Sequence, residues 1–441
     1  MAKYLLVGFG VTNQAVADAV RRRGHEIVVC DDNAGAAALI AANERHLRLV
    51  ERPDPAMYER LISDADIVVP SPGIGDVHLA LDLARRAGVP VRSEFDLAAE
   101  WDTRPVFAVT GTDGKTTVTA LTTAMLQASG LRAVAAGNTD IPLVAAIDDP
   151  AVDVFVVEAS SFRIDHSDHF APKVGTWLNF SPDHLNLHRS LESYELAKAK
   201  LWRHQSRDDV AIGSIDDAVV MRHLRDAPAR HVTFGARPEA DYHVDRERLV
   251  TDRGDVLVAV DELPRQFPHD VTNSLAAAAT ALAGGATVEG CRDALLRFTG
   301  LPHRIALVAE DDSVRWYDDS KATTPNATLT ALRSFASAVL IAGGQNKGLD
   351  LGVLAGAADH VRAVVAIGDA AADVEAAFAG RRPVVTAGSM HDAVSAARRL
   401  AHRGDAVLLS PACASFDWYR SYGERGDDFI NEVRSLIGTS S

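Results

Sequence analysis

The stretch Thr110-Gly-Thr-Asp-Gly-Lys-Thr-Thr117 decides how this sequence folds. It is preceded by Val106-Phe-Ala-Val-Thr110, an apolar and β-branched run that predicts a buried strand, and it is followed by a segment with helical periodicity. Glycines between a strand and a helix let the backbone curl until successive N–H groups face one anion, and the helix N-terminus adds a favourable dipole. The pattern therefore predicts a loop that binds phosphate.

Two side chains of this loop have predicted roles in binding a nucleotide. Lys115 can reach the β- and γ-phosphates, and the Thr116 hydroxyl can ligate Mg²⁺. The full P-loop spacing has glycine where Val109 stands, so the motif is a variant, and a glycine-rich turn with a surface lysine is the alternative interpretation. The position of Gly-Lys-Thr between strand and helix favours a site for ATP. The predicted ATP-binding residues of the loop are Gly111, Thr112, Asp113, Gly114, Lys115, Thr116 and Thr117.

Strand and helix patterns alternate on both sides of the loop. Apolar runs such as KYLLVGFG, EIVVCDD and ADIVVPSPGI precede it, VDVFVVEAS and VGTWLNF follow it, and SAVLIAGG, RAVVAIG, PVVTAG and AVLLSPA lie near the end of the chain. A helix is predicted from Ala15 to Arg23 and a linker from Glu100 to Pro105. These patterns predict an α/β protein of three consecutive domains, residues 1–96, 97–301 and 302–441, with a P-loop domain in the centre.

The composition limits the classes of protein to which the chain can belong. Its 441 residues are 47% hydrophobic and carry a net charge of −15, which disfavours a general binder of nucleic acid or anionic membranes. No apolar run approaches the roughly 20 residues that span a bilayer, and the N-terminus is typical of a first strand rather than a signal peptide. Cys30, Cys291 and Cys413 form neither a disulfide framework nor a zinc pattern. A cytoplasmic location is therefore expected.

A weaker glycine motif lies near the N-terminus. Gly8-Phe-Gly10 lacks the third glycine of a dinucleotide-binding fingerprint. Asp31 and Asp32 end the next predicted strand, where an acidic residue can bind a ribose or a base edge. On these grounds alone, a structural turn and a ligand site are about equally favoured.

Three further side chains are candidates for a metal site or for catalysis. Glu158 closes the strand VDVFVVE, where a carboxylate can hold Mg²⁺ near the γ-phosphate, although a solvated strand end is the alternative. His184 follows another strand and could be a second ligand or a structural histidine. Lys198 lies in the helical pattern SYELAKAKLW, and its periodicity predicts a surface lysine.

Taken together, these motifs resemble one family, the Mur ligases of peptidoglycan precursor synthesis. The resemblance extends over the whole chain in ordered blocks: GTDGKTT, AGNTDIPL, VVEASSF, LNFSPDHL, YELAKAKL, TNSLAAA, GLPHR, DDSKATT, AGGQNK and SPACASFDWY. The combination of GLPHR, DSKATT and SPACAS is similar to the D-glutamate-adding branch. It implies ATP-dependent ligation of D-glutamate to UDP-N-acetylmuramoyl-L-alanine through an acyl phosphate, with small-molecule substrates, no nucleic acid and no membrane insertion. It also implies that the two outer domains are Rossmann-like, the first binding the UDP-linked substrate and the last the amino acid.

The resemblance assigns a metal set. It implies two Mg²⁺ ions, one held by Thr116 and Glu158 and the other by His184 together with Lys198, whose amine is carbamylated in this family. Carbamylation converts a cation into a carboxylate-like ligand, and the assignment depends on the resemblance alone. Lys115, His184 and Lys198 are the catalytic residues that it implies.

The remaining matches concern the three substrates. Those implied to contact ATP are Asn273, Arg304 and Asp319, with Lys321 in the same motif as Asp319. Those implied to bind the UDP-linked substrate are Thr12, Asp31, Ser71 and Gly73 for the UDP and Asn138 for the muramoyl group. Those implied to hold the incoming glutamate are Thr323, Lys347 and Ser415, with Tyr422 at an aromatic position nearby.

Four residues depart from the family pattern. Asp140 stands where an uncharged residue is usual, Arg163 where glutamine is usual, Asp270 where asparagine is common, and Tyr422 where phenylalanine is common. Because none of them belongs to the phosphate loop or the metal set, they bear on the substrate more than on the type of reaction.

Several alternative functions are compatible with parts of the sequence. The same ligase chemistry could use L-glutamate or another amino acid, as in folylpolyglutamate synthases, although those would not need the N-terminal domain. A protein that hydrolyses ATP without ligation is a second class. A dehydrogenase, suggested by Gly8-Phe-Gly10, would leave the P-loop unexplained.

Overall fold

The computed structural model describes residues 1–75, 77–139, 141–183 and 188–438. They form a mixed α/β protein that divides into two compact units, Met1–Phe298 and Thr299–Ser441. Within the described ranges, no helix is long and apolar enough to cross a membrane.

The first part of unit 1 is a four-stranded sheet flanked by helices. Its elements are β1 (Lys3–Val7), α1 (Val11–Arg22), β2 (Glu26–Asp31), α2 (Ala36–Glu44), β3 (Leu49–Glu51), α3 (Pro55–Ser63), β4 (Ile67–Pro70), α4 (Leu79–Ala87) and α5 (Glu94–Trp101). The strands are parallel, in the order β3-β2-β1-β4. This arrangement brings the carboxyl ends of β1, β2 and β4 to one edge of the sheet.

Two boundaries in this part differ from the predictions. Helix α1 begins at Val11, directly after Gly10, whereas a start at Ala15 was predicted. The predicted linker is wrong for Glu100 and Trp101, because both belong to α5. That helix begins at a capping box in which the Ser93 side chain accepts a hydrogen bond from a backbone N–H.

The second part of unit 1 contains the phosphate loop between β5 and α6. Its elements are β5 (Val106–Thr110), α6 (Lys115–Ala128), β6 (Ala133–Gly137), α7 (Leu143–Ala146), β7 (Val154–Glu158), α8 (Ser161–Asp165), β8 (Val174–Trp177), α9 (Leu191–Arg203), β9 (Val210–Ser214), α10 (Ala218–Asp226), β10 (Arg230–Phe234), β11 (His243–Asp245), β12 (Arg248–Val250), β13 (Val256–Ala259), a 3-10 helix (Val260–Glu262), α11 (Pro268–Ala283) and α12 (Val288–Arg297). The strands predicted at β5, β7 and β8 are confirmed.

The sheet around β5 positions the site. Its six strands are parallel in the order β10-β9-β8-β5-β7-β6, so β5 lies between β7 and β8. Glu158 pairs in register with Val109 on one side and with Gly137 on the other. The four central strands β5, β7, β8 and β9 are almost entirely buried, as parallel strands covered by helices on both faces usually are. A separate antiparallel sheet has the order β11-β12-β13.

Unit 2 is built on one further sheet. Its elements are β14 (Ala306–Asp311), β15 (Val314–Asp318), α13 (Pro325–Leu332), β16 (Ala338–Gly343), a 3-10 helix (Leu351–His360), β17 (Val361–Ile367), α14 (Ala371–Phe378), β18 (Val384–Ala387), α15 (Met390–Leu400), β19 (Ala406–Leu409) and α16 (Tyr422–Gly438). The order is β14-β15-β19-β16-β17-β18, and only the β14–β15 pair is antiparallel. The four strands predicted near the end of the chain are confirmed as β16 to β19.

Candidate active site

The loop after β5 has a backbone that only glycine accommodates at two positions. Gly111 has φ +154° and Gly114 has φ +84°, both in the region that side chains disfavour. A Cβ atom on Gly114 would lie 2.7 Å from Oδ1 of Asn273 on α11. The loop therefore needs both glycines, one for its turn and one for the close approach of α11.

Asn179 braces this loop from the end of the neighbouring strand. Its Oδ1 accepts hydrogen bonds from the backbone N–H groups of Thr112 at 3.0 Å and Asp113 at 2.9 Å, and its Nδ2 donates to the Asp113 carbonyl at 3.2 Å. Asn179 was not predicted as a site residue from the sequence. The available signal was its position just after β8, at the same sheet edge as the phosphate loop.

Lys115 and Lys198 meet at one carbonyl oxygen. Lys115 Nζ donates to the Gly111 carbonyl at 2.9 Å and to the Thr112 carbonyl at 2.8 Å, and Lys198 Nζ donates to the same Gly111 carbonyl at 2.7 Å. The prediction of a surface lysine is wrong, because only 1% of Lys198 is exposed. Its Nζ lies 4.5 Å from the centre of the Tyr194 ring, on the buried face of α9.

The surroundings of Lys198 favour an uncharged amine. Burial lowers the pKa of Lys198 well below its ordinary value, and the nearby positive charge of Lys115 lowers it further. A buried amine that is neutral is also a nucleophile, because its lone pair is available.

Glu158 presents a carboxyl oxygen that is suited to a cation. The side chain is buried, and its Oε1 accepts a hydrogen bond from Asn138 Nδ2 at 2.9 Å. No described residue hydrogen-bonds the buried Oε2. A buried oxygen that lacks a donor fits Mg²⁺, which prefers carboxylate ligands. His184 lies outside the described residues, and within those residues no group of three His, Cys, Asp or Glu side chains forms a metal site.

Asn273 lines a pocket next to the phosphate-loop helix. The pocket is lined by Thr117, Leu121, Leu263, Pro264, Arg265, Asp270, Asn273, Ser274, Leu295 and Phe298. Asp270, one of the departures from the family pattern, forms an ion pair with Arg265 at 3.1 Å. Its extra charge is therefore balanced within the pocket wall.

The predicted UDP-binding residues share the carboxyl edge of the first sheet. Asp31 Oδ2 accepts a hydrogen bond from the Phe9 N–H at 2.8 Å, which ties the end of β2 to the glycine turn. A Cβ on Gly10 would lie 3.6 Å from the Ser71 hydroxyl, so the turn also approaches the end of β4. Thr12 follows that turn in α1. Gly73 lines a second pocket with Pro72, Ile74, Gly75, Phe162, Asp165, His166 and His188.

In unit 2, three loops meet at the carboxyl edge of the sheet. The Ala412 N–H donates to the Ala322 carbonyl at 2.9 Å, and the Gln345 N–H donates to the Ala414 carbonyl at 2.9 Å. These bonds join the loops that carry Thr323, Lys347 and Ser415, three of the residues predicted to bind the substrate glutamate. Lys347 Nζ lies 5.4 Å from the centre of the Phe416 ring. Lys321 Nζ lies 3.8 Å from the centre of the ring of Tyr422, the fourth residue predicted to bind the substrate glutamate.

Asp319 is buried at the same carboxyl edge of the sheet in unit 2, directly after β15. Its carboxylate accepts hydrogen bonds from the Ser410 hydroxyl at 2.7 Å and from the Ile305 N–H at 3.3 Å. Burial raises the pKa of Asp319 to about 7, although the positive charge of Arg304 opposes this shift. Arg425, which the sequence analysis missed, is also buried, and its guanidinium donates to the carbonyls of Ser320 and Cys413.

The fold and the loop of unit 1 have the form of a P-loop protein, and comparison with known proteins narrows this class. Residues 109–281 match the model of the Mur ligase middle domain, and residues 303–413 match that of the Mur ligase glutamate ligase domain. The chain is 40% identical to the UDP-N-acetylmuramoylalanine–D-glutamate ligase of Desulfosudis oleivorans over 98% of this chain and 96% of the relative. It is 41% identical to the ligase of the same name from Frankia casuarinae, over 98% and 94%.

Solved structures share the fold at lower identity. UDP-N-acetylmuramate–alanine ligase MurC from Thermotoga maritima aligns with a TM-score of 0.60 at 19% identity, over 99% of this chain and 100% of that one. MurF from Acinetobacter baumannii aligns with a TM-score of 0.61 at 16% identity, over 97% and 93%. The chain belongs to the Mur ligase family.

Proposed function

We propose that this protein is an ATP-dependent ligase that joins D-glutamate to UDP-N-acetylmuramoyl-L-alanine through an acyl phosphate. The observation that carries the proposal is the meeting of Lys115 and Lys198 at the Gly111 carbonyl, at the same sheet edge as the buried carboxyl of Glu158. The identity of the substrates comes from the names of relatives at 40% and 41% identity that align over 98% of the chain.

We propose three domains for this reaction. Residues 1–96 bind the UDP-linked substrate, residues 97–301 bind ATP, and residues 302–441 bind the amino acid. Thr12, Asp31, Ser71 and Gly73 hold the uridine diphosphate, and Asn138 contacts the muramoyl group. The reaction consumes ATP and a nucleotide-linked precursor, and we therefore expect it in the cytoplasm.

The proposed metal set belongs to the central segment of the sequence, and the buried, unpartnered Oε2 of Glu158 supports it. Thr116 and Glu158 would hold one Mg²⁺, and His184 and a carbamylated Lys198 would hold a second. When bound, these ions offset the negative charge that builds up as a carboxylate approaches a phosphate. Asn138 keeps the Glu158 carboxyl in one orientation through its hydrogen bond of 2.9 Å, so that the free oxygen faces one direction.

In the first step, the alanyl carboxylate attacks the γ-phosphorus of ATP, and the bond to ADP breaks. Lys115 donates to the phosphoryl oxygens, and the N–H groups of the glycine loop hold the β-phosphate. Asn179 holds this loop in shape through its bonds to Thr112 and Asp113. In the second step, the glutamate amine attacks the acyl carbon, and inorganic phosphate leaves.

The amino acid is proposed to bind in unit 2. Lys347 pairs with one glutamate carboxylate, and Thr323 and Ser415 donate hydrogen bonds, with Tyr422 nearby. The loops that carry these residues are tied together by backbone hydrogen bonds at 2.9 Å, which limits how far the donors can move apart. Fixed donors of this kind favour one enantiomer, because the amine of the other would point elsewhere.

Turnover of ATP with defined substrates tests the proposed function. The purified protein is given ATP, Mg²⁺ and UDP-N-acetylmuramoyl-L-alanine, with and without D-glutamate, and ADP and amide product are measured. The proposal expects ADP and amide in equal amounts, formed only when D-glutamate is present. ADP release without amide would indicate an ATP-hydrolysing binding protein instead.

A separate experiment tests the carbamate. The neutral Lys198 amine would attack CO2 and lose a proton, which forms a C–N bond and leaves a carbamate anion. Protein equilibrated with ¹³C-bicarbonate should give one carbamate carbon signal that is missing in Lys198→Ala. Lys198→Ala should also regain part of its lost activity with short carboxylates that occupy the vacated ligand position. No labelled signal and no rescue would contradict the carbamate.

A further inference from the structure

Arg163 joins three parts of unit 1. It lies on α8, directly after the loop that follows Glu158, and only 9% of it is exposed. Its Nη1 donates to Glu94 Oε2 at 2.9 Å, and its Nη2 donates to Thr12 Oγ1 at 2.8 Å. One buried cation therefore connects the first turn of α1, the start of α5 and the helix that follows β7.

The bond from Arg163 fixes what the Thr12 hydroxyl can do. A guanidinium is only a donor, so the Thr12 oxygen must accept, and its own proton must point elsewhere. Among the described residues, none accepts this proton, although only 6% of Thr12 is exposed. A buried hydroxyl with an unused proton is ready to donate to a ligand.

The start of α1 adds further donors in the same place. Gly10 caps this helix and has no side chain that could accept a hydrogen bond from its first turn. The first N–H groups of a helix have no partner within the helix and favour an anion. The Thr12 hydroxyl proton and these N–H groups together form a set of donors for a phosphate group.

The positive charge of Arg163 is not available to attract a phosphate group. The Arg163 charge is balanced by Glu94, whose other oxygen accepts a hydrogen bond from the Val144 N–H at 2.9 Å. The pair is neutral as a whole and nearly enclosed, so it adds little to the field outside. Arg163 can therefore act by orienting the Thr12 hydroxyl, to which it donates a hydrogen bond.

We propose that Arg163 is a positioning residue that holds the Thr12 hydroxyl as a donor to the diphosphate of the nucleotide substrate. The inference rests on the proposed function only in taking a diphosphate-linked nucleotide as the ligand. Arg163 is one of the four departures from the family pattern, which has glutamine at this position. Because Arg163 acts through Thr12, replacing it should weaken binding of the UDP-linked substrate and leave binding of ATP and glutamate unchanged.

The test separates positioning from a purely structural contact. Arg163→Lys keeps a positive charge for Glu94, but a single ammonium group cannot replace both fork contacts. The matched control is Arg92→Lys. Arg92 pairs with Glu100 at 2.9 Å at the other end of α5, and its side chain hydrogen-bonds none of the predicted ligand residues that the structure describes. Affinity for UDP is measured by calorimetry, KM by steady-state kinetics for each of the three substrates, and folding by thermal unfolding.

Arg163→Lys should weaken UDP binding and raise KM for UDP-N-acetylmuramoyl-L-alanine about tenfold, with KM for ATP and glutamate within about twofold of wild type. Arg92→Lys should leave all four values unchanged. Thr12→Val should weaken UDP binding to a similar extent. The double variant Arg163→Lys with Thr12→Val should bind UDP no more weakly than Thr12→Val alone, because Arg163 acts only through the Thr12 hydroxyl, which the valine already lacks.

Three results would overturn the positioning role. They are a lower melting temperature with unchanged UDP affinity in Arg163→Lys, additive losses in the double variant, and no UDP binding by the wild-type protein. If Arg163→Lys does not fold, unchanged UDP affinity in Thr12→Val would overturn the positioning role. The calorimetry needs no turnover, so a wild-type protein that binds UDP but makes no amide would refute the proposed function and leave this inference standing.

Discussion

Replacing Glu158 by glutamine tests whether its buried carboxyl group holds a metal ion. One oxygen accepts a hydrogen bond from Asn138, and among the described residues the other has no partner. Glu158→Gln keeps the shape of the side chain and its contact with Asn138, but it removes the negative charge. We expect the effect of this change on thermal stability to depend on whether Mg²⁺ is present.

The expected magnitudes follow from the burial of this side chain. Without Mg²⁺, the new amide leaves a buried donor unsatisfied at a cost of about 1–3 kcal/mol, and the loss of an uncompensated buried charge offsets a comparable amount. The melting temperature should then change by less than about 4 °C. With ATP constant and Mg²⁺ at about 100 times its dissociation constant, the wild type should gain about 2.7 kcal/mol, or roughly 5 °C, and Glu158→Gln less than about half of that.

Thermal unfolding followed by fluorescence, in EDTA and in Mg²⁺, measures both quantities. Glu195→Gln is the matched control, because Glu195 accepts hydrogen bonds from Arg222 at 2.5 Å and from His223 at 2.6 Å. It should be destabilised in both conditions and still keep the full gain from Mg²⁺. A Glu158→Gln protein with the full Mg²⁺-dependent gain would refute the assignment of Glu158 as a metal ligand.

The remaining predictions concern activity and pH. Lys115→Ala should lose more than nine-tenths of turnover while its circular dichroism is unchanged, and the exposed Lys173→Ala should keep turnover. Lys198→Met should lose at least about a thousandfold in kcat with a small change in stability, whereas Lys200→Met on the same helix should keep kcat. Burial raises the pKa of Asp319 to about 7, so the stability that it contributes at low pH should fall as the pH rises from about 4 to 7, and in urea unfolding Asp319→Asn should lack this part of the pH dependence. In competition at equal concentration, kcat/KM should favour D-glutamate over L-glutamate and D-aspartate by orders of magnitude, and equal use of L-glutamate would contradict the substrate while leaving the chemistry intact.

The phosphate loop could be predicted from sequence because its signal is local. Gly111 and Gly114 need their backbone angles whatever lies around them, and the strand before the loop and the helix after it have clear periodicity. The same holds for the strands of the parallel sheets, whose long apolar runs are typical of strands buried on both faces.

The position of Lys198 could not be predicted, because its burial is decided by tertiary packing. Helical periodicity assigns a lysine to the solvent face, but α9 packs so that Lys198 reaches the Gly111 carbonyl, 87 residues away in sequence. Asn179 was missed for the same reason, since its bonds to Thr112 and Asp113 join two adjacent strand ends. Groups that come together across a sheet edge leave no pattern in either segment.

The β14–β15 hairpin was missed because its turn lacks the usual glycine. Asp312 and Ser313 both have positive φ, 46° and 62°, as a two-residue hairpin turn requires. Such turns are normally recognised by Asn-Gly or Asp-Gly, so Asp-Ser gave no signal. The pairing of Asp270 with Arg265 was also not predicted, because no motif in the sequence includes Arg265.

Transfer of an oxygen isotope tests the acyl phosphate most directly. UDP-N-acetylmuramoyl-L-alanine labelled with ¹⁸O in both oxygens of its alanyl carboxylate is converted with ATP and D-glutamate, and the released phosphate is analysed by mass spectrometry. If the carboxylate attacks the γ-phosphate, one ¹⁸O atom should appear in each phosphate and the other should remain in the amide carbonyl. Amide formed together with unlabelled phosphate would contradict the mechanism.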